Sequence, residues 1–122
     1  MGKNIIIDGV EYVPKGSEAS VPAKSLKGKK YVIVRAYSAG VFAGYLERKE
    51  EQNVILLQAR RLWYWKGSAS LSELAVHGVS APRECKFPCE VSQVELDQVI
   101  EVLEVTKKAQ DSIASVPVWS AQ

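Results

Sequence analysis

Histidine and cysteine, the residues that most often carry metal or nucleophilic chemistry, are nearly absent: one histidine and two cysteines in 122 residues. With His77 alone, and Cys85 and Cys89 as the only sulfur ligands beside it, a zinc site lacks its usual four-donor set. None of the serines can be joined to a His–acid relay, and Gly40, Gly44 and Gly67 stand outside any phosphate-loop or dinucleotide pattern. The carboxylates Glu47, Glu50 and Glu51 fall in a polar turn, where solvation rather than catalysis is their ordinary role. The expectation is a protein without catalytic residues, resident metal or cofactor. No apolar run approaches twenty residues and no charged leader precedes an apolar segment, so a soluble, unexported chain with two reduced thiols is expected. Net charge is also scarce. Sixteen basic against fourteen acidic residues leave +2, which is not the footprint of a long-duplex binder.

The charge that is present is unevenly placed. Residues 1–30 hold six lysines against three acids, and residues 83–122 hold four basic against seven acidic residues. The length suits one core. Residues 1–30 are assigned to an N-terminal arm with a short hairpin, Ile5–Ile7 and Val10–Val13 about an Asp8-Gly9 turn. Residues 31–122 are assigned to a single ligand-binding domain of α+β class, an antiparallel β-sheet packed with short helices and a helical C-terminal segment. Tyr31–Tyr37 has β-branched and aromatic strand content, with Tyr31, Ile33, Arg35 and Tyr37 on one face and Val32, Val34 and Ala36 on the other. Ser38-Ala39-Gly40 is a turn of small residues, which either makes a tight hairpin or admits a ligand closely. Val41–Leu46 resumes the strand, and Glu47–Asn53 is expected to be a solvent turn. Val54–Trp65 is one bent strand or two broken near Ala59.

Thereafter the period changes. Ser70 with Glu73 makes a capping box, and Gly78 can end the helix it starts. Val79–Phe87 is expected as loop. Val99–Val105 has a strand pattern, with a helical alternative through Leu96, Val99, Ile100 and Leu103. Thr106 is a candidate N-cap for a helix whose stripe is Ala109, Ile113 and Val116. Lys107 and Lys108 occupy its first turn, where the helix dipole disfavours them. Trp119 either locks the helix onto the sheet or anchors a subunit contact.

The chain is organised around Arg60-Arg61-Leu62-Trp63-Tyr64-Trp65-Lys66-Gly67. In an ideal strand Arg61, Trp63 and Trp65 share a face opposite Arg60, Leu62, Tyr64 and Lys66. Aromatic planes beside a guanidinium can stack a purine and neutralise a phosphate. The same tryptophans can equally form the inner face of a half-buried strand. Candidate stacking residues are Tyr37, Phe42, Trp63 and Trp65. Arg35, Arg60, Arg61 and Arg83 are the phosphate candidates, and Ser38, Ser68 and Ser70 can meet ribose. Arg60 and Arg61 point oppositely, and Arg61 is preferred beside Trp63.

Three stretches, Val32–Gly44 (VIVRAYSAGVFAG), Ala59–Ala75 (ARRLWYWKGSASLSELA) and Ile113–Trp119 (IASVPVW), resemble the phage anti-Thoeris sponge family over roughly residues 31–119. The resemblance implies an antiparallel sheet with packed helices and a homodimer that can build a hexamer. It also implies sequestration of cyclic ADP-ribose isomers, in particular glyco-cyclic ADP-ribose, at subunit interfaces. A separate site for small cyclic oligonucleotides, and residence in the cytoplasm of an infected bacterial host, are further implications. The alternatives are a hydrolase of such a signal and a small RNA-binding or protein-inhibitory module.

Overall fold

The structure, a computed structural model, describes residues 21–121 and, before them, the backbone of residues 5–7 and 10–12. Strands β1 (Ile5–Ile7) and β2 (Val10–Tyr12) pair antiparallel as the expected hairpin. The Asp8-Gly9 turn and the segment after Tyr12 up to residue 20 lie outside the described residues.

Five strands form the main sheet: β3 (Tyr31–Ala36), β4 (Gly40–Glu50), β5 (Asn53–Arg61), β6 (Glu90–Leu96) and β7 (Val99–Glu104). Their order is β6-β5-β4-β3-β7 and every pairing is antiparallel. With helices α1 (Leu71–His77) and α2 (Lys107–Ser115) packed beside it, the fold is the expected α+β arrangement. The strand reading of Val99–Val105 prevails over the helical one, because the pleat buries Val99 and places its successors beside β3.

Only Asp97 and Gln98 separate β6 from β7, yet these are the two outer strands. Three Cα steps reach about 11 Å, whereas four strand spacings in a flat sheet span about 19 Å. The sheet therefore coils until its outer strands meet at this turn. Val99 donates its amide to Gln52 O in the β4–β5 turn (3.0 Å), and Tyr37 donates to Gln98 O (2.9 Å). The two faces consequently bury separate apolar clusters. Val32, Val34, Phe42, Val54, Leu56, Leu96 and Val99 fill the coiled side. Ile33, Leu62, Leu74, Phe87, Ala109 and Ile113 fill the side covered by the helices.

Two features depart from the expected elements. The strand β4 runs on through Glu47–Glu50, and the turn narrows to Glu51 and Gln52. A polar run was expected to leave the sheet, but its exposed side chains stay on the ladder opposite the buried Val54, and Arg48 donates to Asn53 Oδ1 (3.1 Å) while Lys49 donates to Glu51 O (2.8 Å). The break near Ala59 is a bulge: Ala43 pairs with Arg60 and Tyr45 with Leu57, so Gly44 opposes both Gln58 and Ala59. Gln58 takes φ 51° there. A Cβ on Gly44 would lie 3.0 Å from Leu57 O and 3.1 Å from the Ala59 Cα. Glycine is what lets the bulged backbone approach.

Both helices start as their sequences indicate. Ser70 Oγ accepts from Glu73 N (3.1 Å), and the Glu73 carboxylate reaches back one residue beyond the cap, where Ala69 N donates to its Oε1 (2.6 Å), a variant of the expected capping box. Gly78 closes α1. Thr106 caps α2 by accepting from Ala109 N (3.1 Å), while its hydroxyl donates to Val76 O (2.6 Å) and its amide to Ala75 O (3.1 Å). One residue thus starts α2 and satisfies terminal carbonyls of α1. The expected loop from Val79 to Phe87 contains a single 3-10 turn, Pro82–Glu84. No helix among the described residues is long and apolar enough to cross a membrane.

Candidate functional site

The β5 strand ends at Arg61, so the chain beyond it does not keep a strict two-residue alternation. Leu62 turns into the helix-side core and donates its amide to Val41 O (2.8 Å). Tyr64 is fixed by a bridge to Lys86, and Trp65 packs partly buried against the same core. Trp63, between them, is left 62% exposed. Arg61, Trp63 and Trp65 come together as expected, lining one groove, but the two tryptophans reach it from an irregular segment past the end of β5 rather than from a continuing strand.

What they meet around is a groove of about 290 Å³, lined by Ser38, Ala39, Gly40, Val41, Arg61, Leu62, Trp63 and Trp65. One wall is the β3–β4 turn. Gln98, from the β6–β7 turn, holds that wall by accepting from Tyr37 N and from Ser38 Oγ (3.4 Å). The other wall is Arg61, whose Nη1 donates to Ala39 O (2.7 Å) and whose Cζ lies 4.3 Å from the centroid of the Phe42 ring. Gly40, at φ 98°, lets the turn pass close to this guanidinium. The groove therefore joins a planar cation, an exposed indole, a half-buried indole and a hydroxyl. Such a set can hold an anionic group beside a stacked ring.

The remaining candidates have other positions. Arg60 is 7% exposed, and its guanidinium donates to five carbonyls: Pro88 O, Ile113 O, Phe87 O, Val116 O and Pro117 O, at 2.8–3.2 Å. It is corrected from phosphate candidate to a structural cap on the end of α2, and burial lowers its affinity for its own proton. Phe42 is buried beneath Arg61 and presents no face to a ligand. Ser70 is the α1 cap, and Ser68 Oγ donates to Ser70 O (3.2 Å). Arg35 pairs with Glu101 (2.9 Å) on β7, one strand across from Val41. Tyr37 stands 76% exposed at the turn. Arg83 is exposed in the 3-10 turn, away from the groove lining. Cys85 is buried and Cys89 exposed, both free thiols.

Two clusters escaped sequence reasoning. Lys86 Nζ lies 5.7 Å from the Tyr64 ring and 5.5 Å from the Trp119 ring, forming an exposed aromatic–cation patch. Trp119 is held there by its amide, which donates to Phe87 O (3.0 Å). A cavity of about 300 Å³ lies between the sheet and α2, with Tyr31, Tyr45, Gln58, Glu90 and Gln110 in its lining. The two tyrosine rings meet edge to face at 5.0 Å. Burial, then Tyr45, then Glu90 push the Tyr31 phenol well above its ordinary range, against an opposing pull from Arg60. These residues are far apart in sequence and show no local motif.

Fold and groove together define a small α+β protein with a ligand-sized arginine–tryptophan concavity at a corner of a coiled sheet. By sequence the chain belongs to the family described as Domain of unknown function (DUF6948), which matches residues 29–113. No curated protein and no solved structure matches it.

Proposed function

We propose that the protein is a phage immune-evasion sponge. It binds a cyclic ADP-ribose isomer, glyco-cyclic ADP-ribose in the first instance, and withholds it from a Thoeris effector without cleaving it. The observation that carries this reading is the convergence of Ser38, Arg61, Trp63 and Trp65 on one groove. Adenine needs a flat apolar surface, pyrophosphate needs a directional cation, and ribose needs hydroxyl partners. Each is represented in the lining. The groove's volume of about 290 Å³ is at the small end for an enclosed ligand, which agrees with a site completed by a second copy. On this reading the protein works as a homodimer or hexamer in the cytoplasm of an infected bacterium, and cyclic oligonucleotides occupy a separate site.

The aromatic patch around Lys86 favours a second reading, a module for short single-stranded RNA, since stacked rings beside a cation serve that purpose too. One experiment separates these and the hydrolase alternative. Purified protein is mixed with glyco-cyclic ADP-ribose, freed of unbound ligand and heat-denatured, and the released material is weighed by mass spectrometry. Intact ligand is the expected result. Linear product would make the protein an enzyme. No retained ligand, with affinity for RNA that grows with strand length, would favour the second reading.

A further inference from the structure

We infer that Phe42 is a positioning residue for anion recognition, acting through Arg61, and that the ligand group it prepares for is one presenting two coplanar oxygens, as a phosphate or carboxylate does. The inference rests on the reading of the groove as the ligand site.

Phe42 and Arg61 are direct cross-strand partners on β4 and β5. The ring is 3% exposed and belongs to the core of the coiled side, so its place is fixed by packing. The Arg61 guanidinium lies over that ring at 4.3 Å, and Nη1 is tied to Ala39 O at 2.7 Å. One face and one N–H are thereby used. The Nε–H and Nη2–H edge makes no other hydrogen bond among the described residues, and Arg61 lines the groove. Two parallel N–H groups on that edge match two oxygens of one anion. An arginine free in solvent would lose rotamer freedom on binding, whereas this one is already ordered by the ring below and the carbonyl beside it. Lysine at position 61 would reach the same place as a point charge and lose both the fork and the stack.

The test replaces Phe42 with a series of increasingly fluorinated phenylalanines, which keep the shape of the ring and progressively cancel its negative face. Affinity for glyco-cyclic ADP-ribose is measured by calorimetric titration, and the Arg61 Nε–H order parameter is measured by NMR without ligand. The expected result is a graded loss of affinity, about fivefold across the series, in step with falling order at Arg61 and with little change in thermal midpoint. A flat affinity series in protein that binds the ligand would overturn the positioning role and leave the ligand reading intact. Should the unsubstituted protein fail to bind this ligand, the ligand reading falls. In that case the ligand-free order parameter still decides the role of Phe42, and an unchanged value along the series overturns it.

Discussion

The carbonyl oxygens around Arg60 come from two segments, Phe87–Pro88 and the end of α2 with its tail. A helix C-terminus leaves carbonyls without intrahelical partners, and burying them unpaired is costly. Arg60 satisfies five at once, and its face also lies 5.5 Å from the Phe87 ring. Replacing it with methionine keeps much of the apolar stem and strands the Pro88, Val116 and Pro117 oxygens, while Phe87 O keeps the Trp119 amide and Ile113 O the Val116 amide, so Arg60→Met should lose about 3–5 kcal/mol. Urea unfolding would show this as a lower midpoint with unchanged slope. A loss below about 1 kcal/mol would mean that water replaces the guanidinium. Tyr31 makes a second prediction, in pH. Its folded-state pKa is raised, chiefly by burial, so up to pH about 9, a unit below the ordinary phenol value, the phenol is neutral in both states and its stabilising effect is complete. Above that, the unfolded chain releases the proton while the folded chain keeps it, and stability falls by up to about 1.4 kcal/mol per pH unit. Between pH 9 and 11 the wild type should lose roughly 1 kcal/mol more than Tyr31→Phe. Equal losses would show that the phenol ionises normally in the fold.

Element starts and stops were the most legible features, because caps depend on neighbours within four residues. Ser70, Gly78 and Thr106 all act where the sequence places them. The unfavourable lysine at the start of α2 is also explained locally, since Lys107 Nζ lies 2.7 Å from Asp111 one turn on. That exposed pair contributes only a few tenths of a kcal/mol. The second role of Thr106 was not legible, because Val76 lies 30 residues away in sequence. It makes Thr106 more valuable than an ordinary cap. Thr106→Ala removes bonds at two helix ends and should cost about 2 kcal/mol, against about 1 for Ser70→Ala, while Thr106→Ser should recover most of it. Thermal unfolding of the three variants would establish the order. A Thr106→Ala loss no greater than that of Ser70→Ala would remove the link between the helices from the account.

At the scale of the whole molecule, the pieces hidden from sequence are those set by the coil of the sheet. Nothing local indicates that strands joined by two residues stand at opposite edges, or that Gln98 supports the turn beside Ser38. The groove was half legible for the same reason. Arg61, Trp63 and Trp65 are chain neighbours, but Ser38 and Phe42 reach them only through pairing with β4, and Arg60 is withdrawn by contacts up to 57 residues away. The coil also gives one sheet two apolar cores, with Ile33 on one side and Val34 on the other, adjacent on β3. Neither core can lose its strands without exposing the other, so the two should unfold together. In urea, tryptophan fluorescence follows the helix side through Trp65, and methyl NMR signals of Val34 and Leu56 follow the coiled side. Coincident midpoints and slopes are expected, as for a two-state domain of this size. Coiled-side methyl signals that persist beyond the fluorescence transition would show that the sheet stands without its helices, and that the groove's Trp65 wall can open while Phe42 still holds Arg61.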